Sequence, residues 1–285
     1  MFGNIKKVNA QPNPFSAPEP WELVATGYEA TTMAYLGKYT ERAIHHLQIQ
    51  DGATVLDVAC GPGTVTRQLA NRASFITALD FSPNMIALLD RYLVKNKIKS
   101  VRTMVGNGQN IPLKDSQFDH AISMFGLMFF PDRIKGFSEL FRLLKPGGSA
   151  AVSSWAPVDQ SPAMRLMFGA LRAANPDMPA PQRNAETLEN PDVFKREMEK
   201  GGFIDVSVHR VTCDMEAESL DELWSGFVRG SAPIVLLRKK VGEKKWLEME
   251  KKALAYISEN VAAFPVKLGS DAWIGVGRKV EKNIT

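Results

Sequence analysis

Cysteine is scarce in this chain, whose 285 residues include two, Cys60 and Cys213. Two cysteines this far apart in sequence do not make a disulfide framework and supply too few ligands for a metal site, so no metal is expected. Long apolar runs are also missing, since none approaches the roughly 18 residues of a membrane-spanning helix. Residues 1–20 are polar and contain proline, unlike a signal peptide. We therefore expect a cytoplasmic location and no transmembrane segment.

A strong excess of one charge is absent as well. The chain has 35 Lys and Arg against 31 Asp and Glu, a net charge of +4, and the two signs are interleaved. A nucleic-acid-binding surface usually concentrates its basic residues, so we expect no nucleic-acid partner. The densest basic clusters, interpreted as solvated helix ends or faces, are Lys95, Lys97 and Lys99, and Lys239, Lys240, Lys244 and Lys245. An acidic substrate or a weak contact with a membrane surface stays open.

What the chain does contain is an apolar strand that ends in a glycine turn. Residues 55–64 read VLDVACGPGT, and Gly61 and Gly63 allow the backbone to approach a ligand closely. A second apolar strand, residues 75–80, ends in Asp80, which lies 17 residues beyond Gly63. In an open α/β sheet, an acid at the carboxyl end of the neighbouring strand can bind both hydroxyls of a ribose. The two segments therefore predict a nucleoside-binding site.

A dinucleotide site is the main alternative for this turn. Its fingerprint requires a third glycine, which allows the helix to pack closely on the strand and to face a pyrophosphate. Here that position is Thr66, whose branched side chain would crowd the helix, and Asp57 adds a negative charge that suits a cation better than a phosphate. The pattern D-x-x-x-G-x-G, followed by a strand that ends in Asp80, resembles the first two motifs of the class I S-adenosylmethionine-dependent methyltransferases.

The resemblance continues in three further segments. Residues 105–113 (VGNGQNIPL) resemble the family's third-strand loop, with Asn107 in place of the acid that contacts the adenine amine. Residues 118–126 resemble the fourth strand and its loop, and residues 143–148 (LLKPGG) resemble the turn into the fifth strand. The resemblance implies S-adenosylmethionine as the cofactor and S-adenosylhomocysteine as its product. The cofactor-binding residues that it implies are Tyr28, Asp57, Gly61, Gly63, Asp80, Phe81, Met85, Asn107, Gly108, Gln109, Met124 and Phe125.

The same resemblance implies a Rossmann-like α/β fold with seven mostly parallel strands, an antiparallel last strand and a helical lid. Strands are expected at residues 54–59, 75–80, 101–106, 118–123, 149–154, 204–211 and 272–278. We predict a single domain, residues 1–285, with an N-terminal helical cover (residues 20–47) and a cofactor-binding core (residues 48–155). Two insertions, residues 156–190 and 214–270, are predicted to form a substrate lid, with helices near residues 164–174, 220–235 and 244–261.

Both insertions follow strands whose carboxyl ends face the ligand crevice, where variable loops usually determine substrate choice. Their walls and the loop after the fourth strand are apolar and aromatic, so we expect a small organic acceptor with hydrophobic surface. The predicted substrate residues are Phe129, Trp155, Met164, Phe168 and Trp224. The alternative for each of them is a place in the core of the lid.

Methyl transfer from a sulfonium requires the protein to align the acceptor with the methyl group and to exclude water, and it requires no metal. The four histidines, His45, His46, His120 and His209, lie in no recognisable catalytic motif, so no catalytic residue is assigned. The asparagine-proline motif that follows the fourth strand in DNA and glutamine methyltransferases is absent, since residues 123–126 read SMFG.

The chain most resembles the ubiquinone-biosynthesis-like branch of this family, which contains many small-molecule C-, N- and O-methyltransferases. Three functions stay open: a methyltransferase acting on a small molecule, one acting on a protein or RNA, and a non-catalytic S-adenosylmethionine-binding protein. The first predicts a closed apolar pocket above the cofactor, the second an open basic groove, and the third a side chain that blocks the path of the methyl group. Neither the accepting atom nor the oligomeric state follows from the sequence.

Overall fold

A seven-stranded sheet organises the protein in a computed structural model that describes residues 13–281. Its strands are Thr54–Val58 (β1), Phe75–Asp80 (β2), Val101–Val105 (β3), Phe118–Ser123 (β4), Leu144–Trp155 (β5), Ile204–Ala217 (β6) and Val266–Arg278 (β7). Their order is β3-β2-β1-β4-β5-β7-β6, and β7 runs antiparallel to its neighbours. The predicted Rossmann-like α/β fold is thereby confirmed. Residues 1–12, part of the segment compared with a signal peptide, lie outside the described residues.

Helices cover both faces of this sheet. They are Glu19–Gly27 (α1), Met33–Leu47 (α2), Thr64–Leu69 (α3), Pro83–Lys95 (α4), Arg133–Leu143 (α5), Pro162–Ala174 (α6), Pro191–Lys200 (α7), Leu220–Arg229 (α8), Ala232–Val241 (α9) and Glu243–Asn260 (α10). Val55 of β1 packs with α2 on one face, whereas the next residue, Leu56, packs with α5 on the other. Burial on both faces explains why β1 reads as an apolar run rather than as an alternating pattern.

The last three strands are longer than the sequence predicts. β6 and β7 form a hairpin that continues beyond the end of β5 to the pair Ala217 and Val266, so both ends of the predicted insertion at residues 214–270 are strand. The added segment carries charged side chains such as Glu216 and Lys267, which form an ion pair across the hairpin. Such polar residues do not resemble a buried strand. The remainder of the insertion forms α8, α9 and α10, with the expected break after α8 at Gly230.

The two insertions pack against each other and form the lid. Leu166 and Met167 of α6 belong to a buried cluster to which α8 and α10 contribute Leu223, Phe227 and Trp246. This cluster is separate from the cores on the two faces of the sheet, so the lid has a core of its own. Among residues 13–281, no helix combines the length and the hydropathy needed to cross a bilayer.

The N-terminal cover docks on the lid through two glycines. The cover consists of α1, a π-helical turn at Tyr28–Thr32, and α2. A Cβ atom on Gly27 would overlap the backbone carbonyl oxygen of Arg229, and one on Gly230 would overlap the hydroxyl oxygen of Thr32. The cover and the lid therefore approach each other more closely than larger residues would allow.

Gly27→Ala is expected to lower the free energy of unfolding by about 1–3 kcal/mol, because the added methyl group must displace the Arg229 backbone. Urea unfolding followed by circular dichroism measures the change. Gly226→Ala is the matched control, since Gly226 lies inside α8 and nothing lies within 4 Å of its Cβ position. Alanine favours a helix interior by about 0.5–1 kcal/mol, so the control should be slightly more stable. Equal effects of the two substitutions would contradict a close contact between cover and lid.

Candidate functional site

A cavity of about 210 Å³ opens at the carboxyl ends of β1, β2, β3 and β4. The predicted cofactor residues that line it are Tyr28, Gly61, Asp80, Phe81, Met85, Asn107, Gly108, Gln109, Met124 and Phe125. Phe129, predicted to contact the substrate, lines it as well. The fold thus brings together residues from the cover and from four strand ends, at the crevice where open α/β sheets bind ligands.

Asp80 places a buried carboxylate on the cavity wall. Its Oδ2 accepts a hydrogen bond from the Gly61 N–H at 2.8 Å, and its Oδ1 accepts one from the Ser82 N–H at 2.9 Å. Burial raises the pKa of this carboxyl to about 6, although the backbone donors lower it. Each oxygen still has a lone pair, so the carboxylate can accept hydrogen bonds from two ligand hydroxyls.

Asp57 lies in a smaller pocket that shares Tyr28, Gly61 and Met124 with the cavity. Its Oδ2 accepts hydrogen bonds from the Thr66 hydroxyl at 2.7 Å and from the Thr66 N–H at 3.1 Å. Burial raises the pKa of Asp57 to about 7. Thr66 is itself fully buried. The threonine therefore ties the start of α3 to β1 through a side-chain bond that the third glycine of a dinucleotide fingerprint could not form.

Gly63 lines neither the cavity nor the smaller pocket, so its role in cofactor binding stays a prediction. Its backbone is left-handed, with φ of +94°, and a Cβ atom there would overlap Cδ1 of Leu89 in α4. Turn conformation and the close approach of α4 both require a glycine at this position.

The loop after β3 is held by hydrogen bonds of its own side chains. Asn107 Oδ1 accepts a hydrogen bond from the Gln109 N–H at 2.9 Å, and Gln109 Oε1 accepts one from the Asp132 N–H at 2.8 Å. Gly108 packs between Val58 and Phe130, where a larger residue would not fit. The oxygen predicted to accept from the adenine amine is therefore already bonded within the loop, and a ligand would use its second lone pair.

Tyr28 is the residue of the π-helical turn that lines the cavity. Burial and the Asp80 carboxylate both raise the pKa of its phenol, so the hydroxyl stays protonated. The next residue, Glu29, forms an ion pair with Arg67 of α3, with Oε1 and Nη2 2.6 Å apart. The Arg67 guanidinium also lies over the Tyr92 ring, 4.1 Å from its centroid. These contacts anchor the π-helical turn to the helix that follows the glycine turn.

Phe125, which follows β4, has a left-handed backbone with φ of +56°. This conformation is strained for an aromatic residue and is held by a hydrogen bond from the Phe125 N–H to Ser153 Oγ at 2.8 Å. The Phe125 ring stacks on Trp155 at a centroid distance of 4.2 Å and meets Tyr39 edge-on at 5.3 Å. Trp155, predicted to contact the substrate, lies against Phe125 and does not line the cavity.

The N-terminal segment contributes wall residues that the sequence analysis did not identify. Phe15 and Trp21 line the cavity and contact Phe129, at centroid distances of 5.7 and 5.2 Å. Ser16 Oγ donates to the Phe129 carbonyl oxygen at 2.6 Å, and the Trp21 indole donates to the Phe15 carbonyl oxygen at 2.9 Å. Asn13 caps the short 3-10 turn at Pro14–Ser16 that carries Phe15.

Three predicted substrate residues, Met164, Phe168 and Trp224, belong to the lid core and do not line the cavity. The Trp224 indole donates to Glu250 Oε1 at 2.6 Å and is stacked on Trp246 at 6.1 Å. The structure thus separates these side chains from Phe129, and their contact with a substrate stays a prediction.

The histidines take up positions outside the cavity wall. His120 Nδ1 lies 2.9 Å from Ser149 Oγ within the sheet, and His46 stacks on His209 at 4.3 Å. Desolvation lowers the pKa of both His46 and His120. No general base is assigned.

Comparison with known proteins supports the family suggested by these motifs. A family model described as a methyltransferase domain matches residues 56–152. A demethylmenaquinone methyltransferase of Geobacillus sp. is 33% identical over 114 residues, which are 39% of this chain and 49% of that protein. One of Corynebacterium glutamicum is 29% identical over 187 residues, 61% of this chain and 78% of that protein. The chain thus spans about half the length of the first of these relatives.

Solved structures share the fold at low sequence identity. Phosphoethanolamine N-methyltransferase 2 of Haemonchus contortus, in complex with phosphomonomethylethanolamine and S-adenosylhomocysteine, superposes with a TM-score of 0.54 at 16% identity, covering 86% of this chain and 53% of that one. The strand order, the matched motifs and the curated relatives agree with one another. Residues 56–152 thus match a methyltransferase domain, and the chain is similar to class I S-adenosylmethionine-dependent methyltransferases of the quinone-biosynthesis-like group.

Proposed function

We propose that this protein transfers a methyl group from S-adenosylmethionine to a small organic acceptor with apolar surface. The supporting observation is the composition of the cavity wall. It combines the Asp80 carboxylate with seven aromatic residues and, among the described residues that line it, contains no Lys or Arg. A macromolecular acceptor such as RNA would favour an open basic groove instead.

The cavity residues fit the cofactor. Asp80 has acceptor capacity for the ribose hydroxyls, and Phe81 and Met85 provide apolar surface next to it for the adenine ring. Gly61 lines the cavity with φ of +54°, and nothing lies within 4 Å of its Cβ position. A larger side chain at position 61 would project into the open space of the cavity, where the cofactor would have to come close to the protein backbone.

Bound S-adenosylmethionine would supply a methyl group on a positively charged sulfur that departs as a neutral thioether. The protein's contribution is then to hold the acceptor in line with the methyl group and to keep water out. Phe15, Trp21 and Phe129 form an aromatic wall suited to both tasks. The buried Asp57 and Asp80 carboxylates favour a cationic ligand over a phosphate.

Binding of S-adenosylmethionine is expected to weaken as the pH falls from about 8 to about 5, by up to about tenfold per pH unit below each pKa. The reason is that Asp80 on the cavity wall and Asp57 in the adjoining pocket, with pKa values raised to about 6 and about 7, lose their negative charge on protonation and then no longer attract a cationic ligand. Calorimetry in buffers of different ionisation enthalpy should therefore detect proton release on binding. Asp57→Asn is expected to remove the part of this dependence near the upper pKa. A pH-independent affinity would argue against carboxylates that face the cofactor's charge.

The proposed activity is tested with the purified protein, methyl-labelled S-adenosylmethionine and a cell extract separated into small molecules, protein and RNA. We expect label in the small-molecule fraction, where the mass of the product identifies the acceptor. Label confined to protein or RNA would instead support a macromolecular substrate and would refute the proposal.

A non-catalytic role is the second candidate, because one observation favours it. The stack of Phe125 and Trp155, closed on its edge by Tyr39, fills the space beside the end of β4. An acceptor that approaches from this side would have to displace the stack. Cofactor binding without transfer to any of the three fractions would favour this role.

A further inference from the structure

The outer face of the lid carries a dense basic surface. Residues 232–260 contain seven Lys and Arg against four Glu and no Asp, so this short segment holds most of the chain's net charge of +4. We define the basic lid face by its six exposed lysines, Lys239, Lys240, Lys244, Lys245, Lys251 and Lys252. It lies outside the cavity, and the proposed methyl transfer does not use it.

An exposed leucine lies among these lysines. α10 packs against the lid core through the buried side chains of Trp246, Met249 and Ile257. On its opposite side, Lys244 and Lys251 lie three and four residues from Leu247, within one turn of it on either side. The Leu247 side chain is 51% exposed although it is apolar. The outward side of α10 therefore combines positive charge with an uncovered aliphatic group.

The described residues form no ion pair with a lysine of the basic lid face, although the exposed Glu248 lies four residues from both Lys244 and Lys252 in α10. Lys38, Lys145, Lys195 and Lys267 form ion pairs, and none of these four belongs to the basic lid face. Two of the segment's four glutamates are engaged elsewhere, since Arg238 binds Glu243 and the Trp224 indole donates to Glu250. The face therefore offers several unpaired positive charges to an external anion.

We propose that the basic lid face docks on an anionic phospholipid surface. Four to eight basic residues on an amphipathic helix attract anionic headgroups, and an apolar side chain between them enters the interface. Single-stranded RNA is the less suitable partner, because its bases need exposed aromatic rings on which to stack. The aromatic residues of α10 are Trp246, which is buried, and Tyr256, which packs on Gly169.

The lid connects this face to the cofactor cavity. α9 begins at Ala232, in a cluster with Val24, Met85 and Trp21, and Met85 and Trp21 line the cavity. The last turn of α9 carries Lys239 and Lys240 of the basic lid face. Lipid docking would thus hold the cavity cover near a source of apolar acceptors. The inference goes beyond the proposed methyl transfer and does not depend on it, since lipid binding is measured without cofactor or acceptor.

The test is cosedimentation of the full-length protein with vesicles of phosphatidylcholine alone or mixed with phosphatidylglycerol. We expect binding to the anionic vesicles, which salt weakens, and none to phosphatidylcholine alone. Lys244→Gln combined with Lys251→Gln is expected to lower the partition coefficient about 30-fold. The matched control, Lys95→Gln with Lys99→Gln, removes the same charge at and just after the end of α4, outside the basic lid face, and should change binding less than about twofold.

Leu247→Ser separates lipid docking from general attraction to polyanions. It should weaken binding to anionic vesicles and leave retention on immobilised heparin unchanged, and unaltered melting temperatures would confirm that all variants fold. Absence of binding to anionic vesicles would overturn the proposal. Equal losses in the α10 and α4 double variants, or vesicle binding that is insensitive to Leu247→Ser, would also overturn it.

Discussion

Asp80→Ala is expected to weaken S-adenosylmethionine binding by about 1–3 kcal/mol, the cost of leaving hydrogen-bonded ligand hydroxyls without a partner. The substitution also removes the acceptor for the Gly61 and Ser82 N–H groups, which hold the glycine turn beside the end of β2. Isothermal titration calorimetry measures the affinity directly, with no acceptor substrate needed.

The matched control for this substitution is Asp90→Ala. Asp90 lies in α4, and its exposed carboxylate accepts a hydrogen bond from Thr103 Oγ1 at 2.7 Å. Removing it should leave the cofactor affinity within about twofold of the original value, because a surface contact outside the cavity is lost. An unchanged affinity in Asp80→Ala would exclude Asp80 from the ribose site.

Gly61→Ala is expected to lower both the free energy of unfolding and the affinity for the cofactor, for two different reasons. The left-handed backbone at φ of +54° costs an alanine about 1–2 kcal/mol, which should appear as lower stability. The new methyl group also enters the space of the cavity wall, where overlap with a ligand should cost a further 1–3 kcal/mol, or about 5- to 150-fold in affinity. Urea unfolding and calorimetry measure the two effects.

Gly52→Ala isolates the backbone contribution. Gly52 has φ of +86°, nothing lies within 4 Å of its Cβ position, and it does not line the cavity. It should therefore lose stability by about the same amount as Gly61→Ala and keep full affinity. If Gly61→Ala also kept full affinity, the cofactor could not pass close to the turn.

The strands around the site could be predicted from the sequence because they are buried on both faces. β1 is a short apolar run followed by the turn that contains Gly61, and β2 is one that ends at Asp80, so each strand end and its ligand group can be recognised together. The hairpin of β6 and β7 was predicted too short, because beyond β5 it has no further strand beside it and its charged residues face solvent.

The aromatic walls of the cavity are harder to predict from the sequence than the strand ends on which the cavity rests. Trp224 and Phe129 are both aromatic residues in lid or loop segments, and their chemistry does not reveal that one joins the lid core and the other the cavity. That difference depends on how α8 and α10 pack, which involves long-range contacts. Phe15 joins the wall through Trp21 and Phe129, and no local pattern in the tail indicates this.

The glycine contacts between cover and lid also bear on the order in which ligands exchange. Gly27 meets the end of α8 and Gly230 meets the π-helical turn, so a lid that swings outward with these contacts intact carries Tyr28 away from the cavity. Entry of an acceptor and departure of spent cofactor would then share a single opening movement.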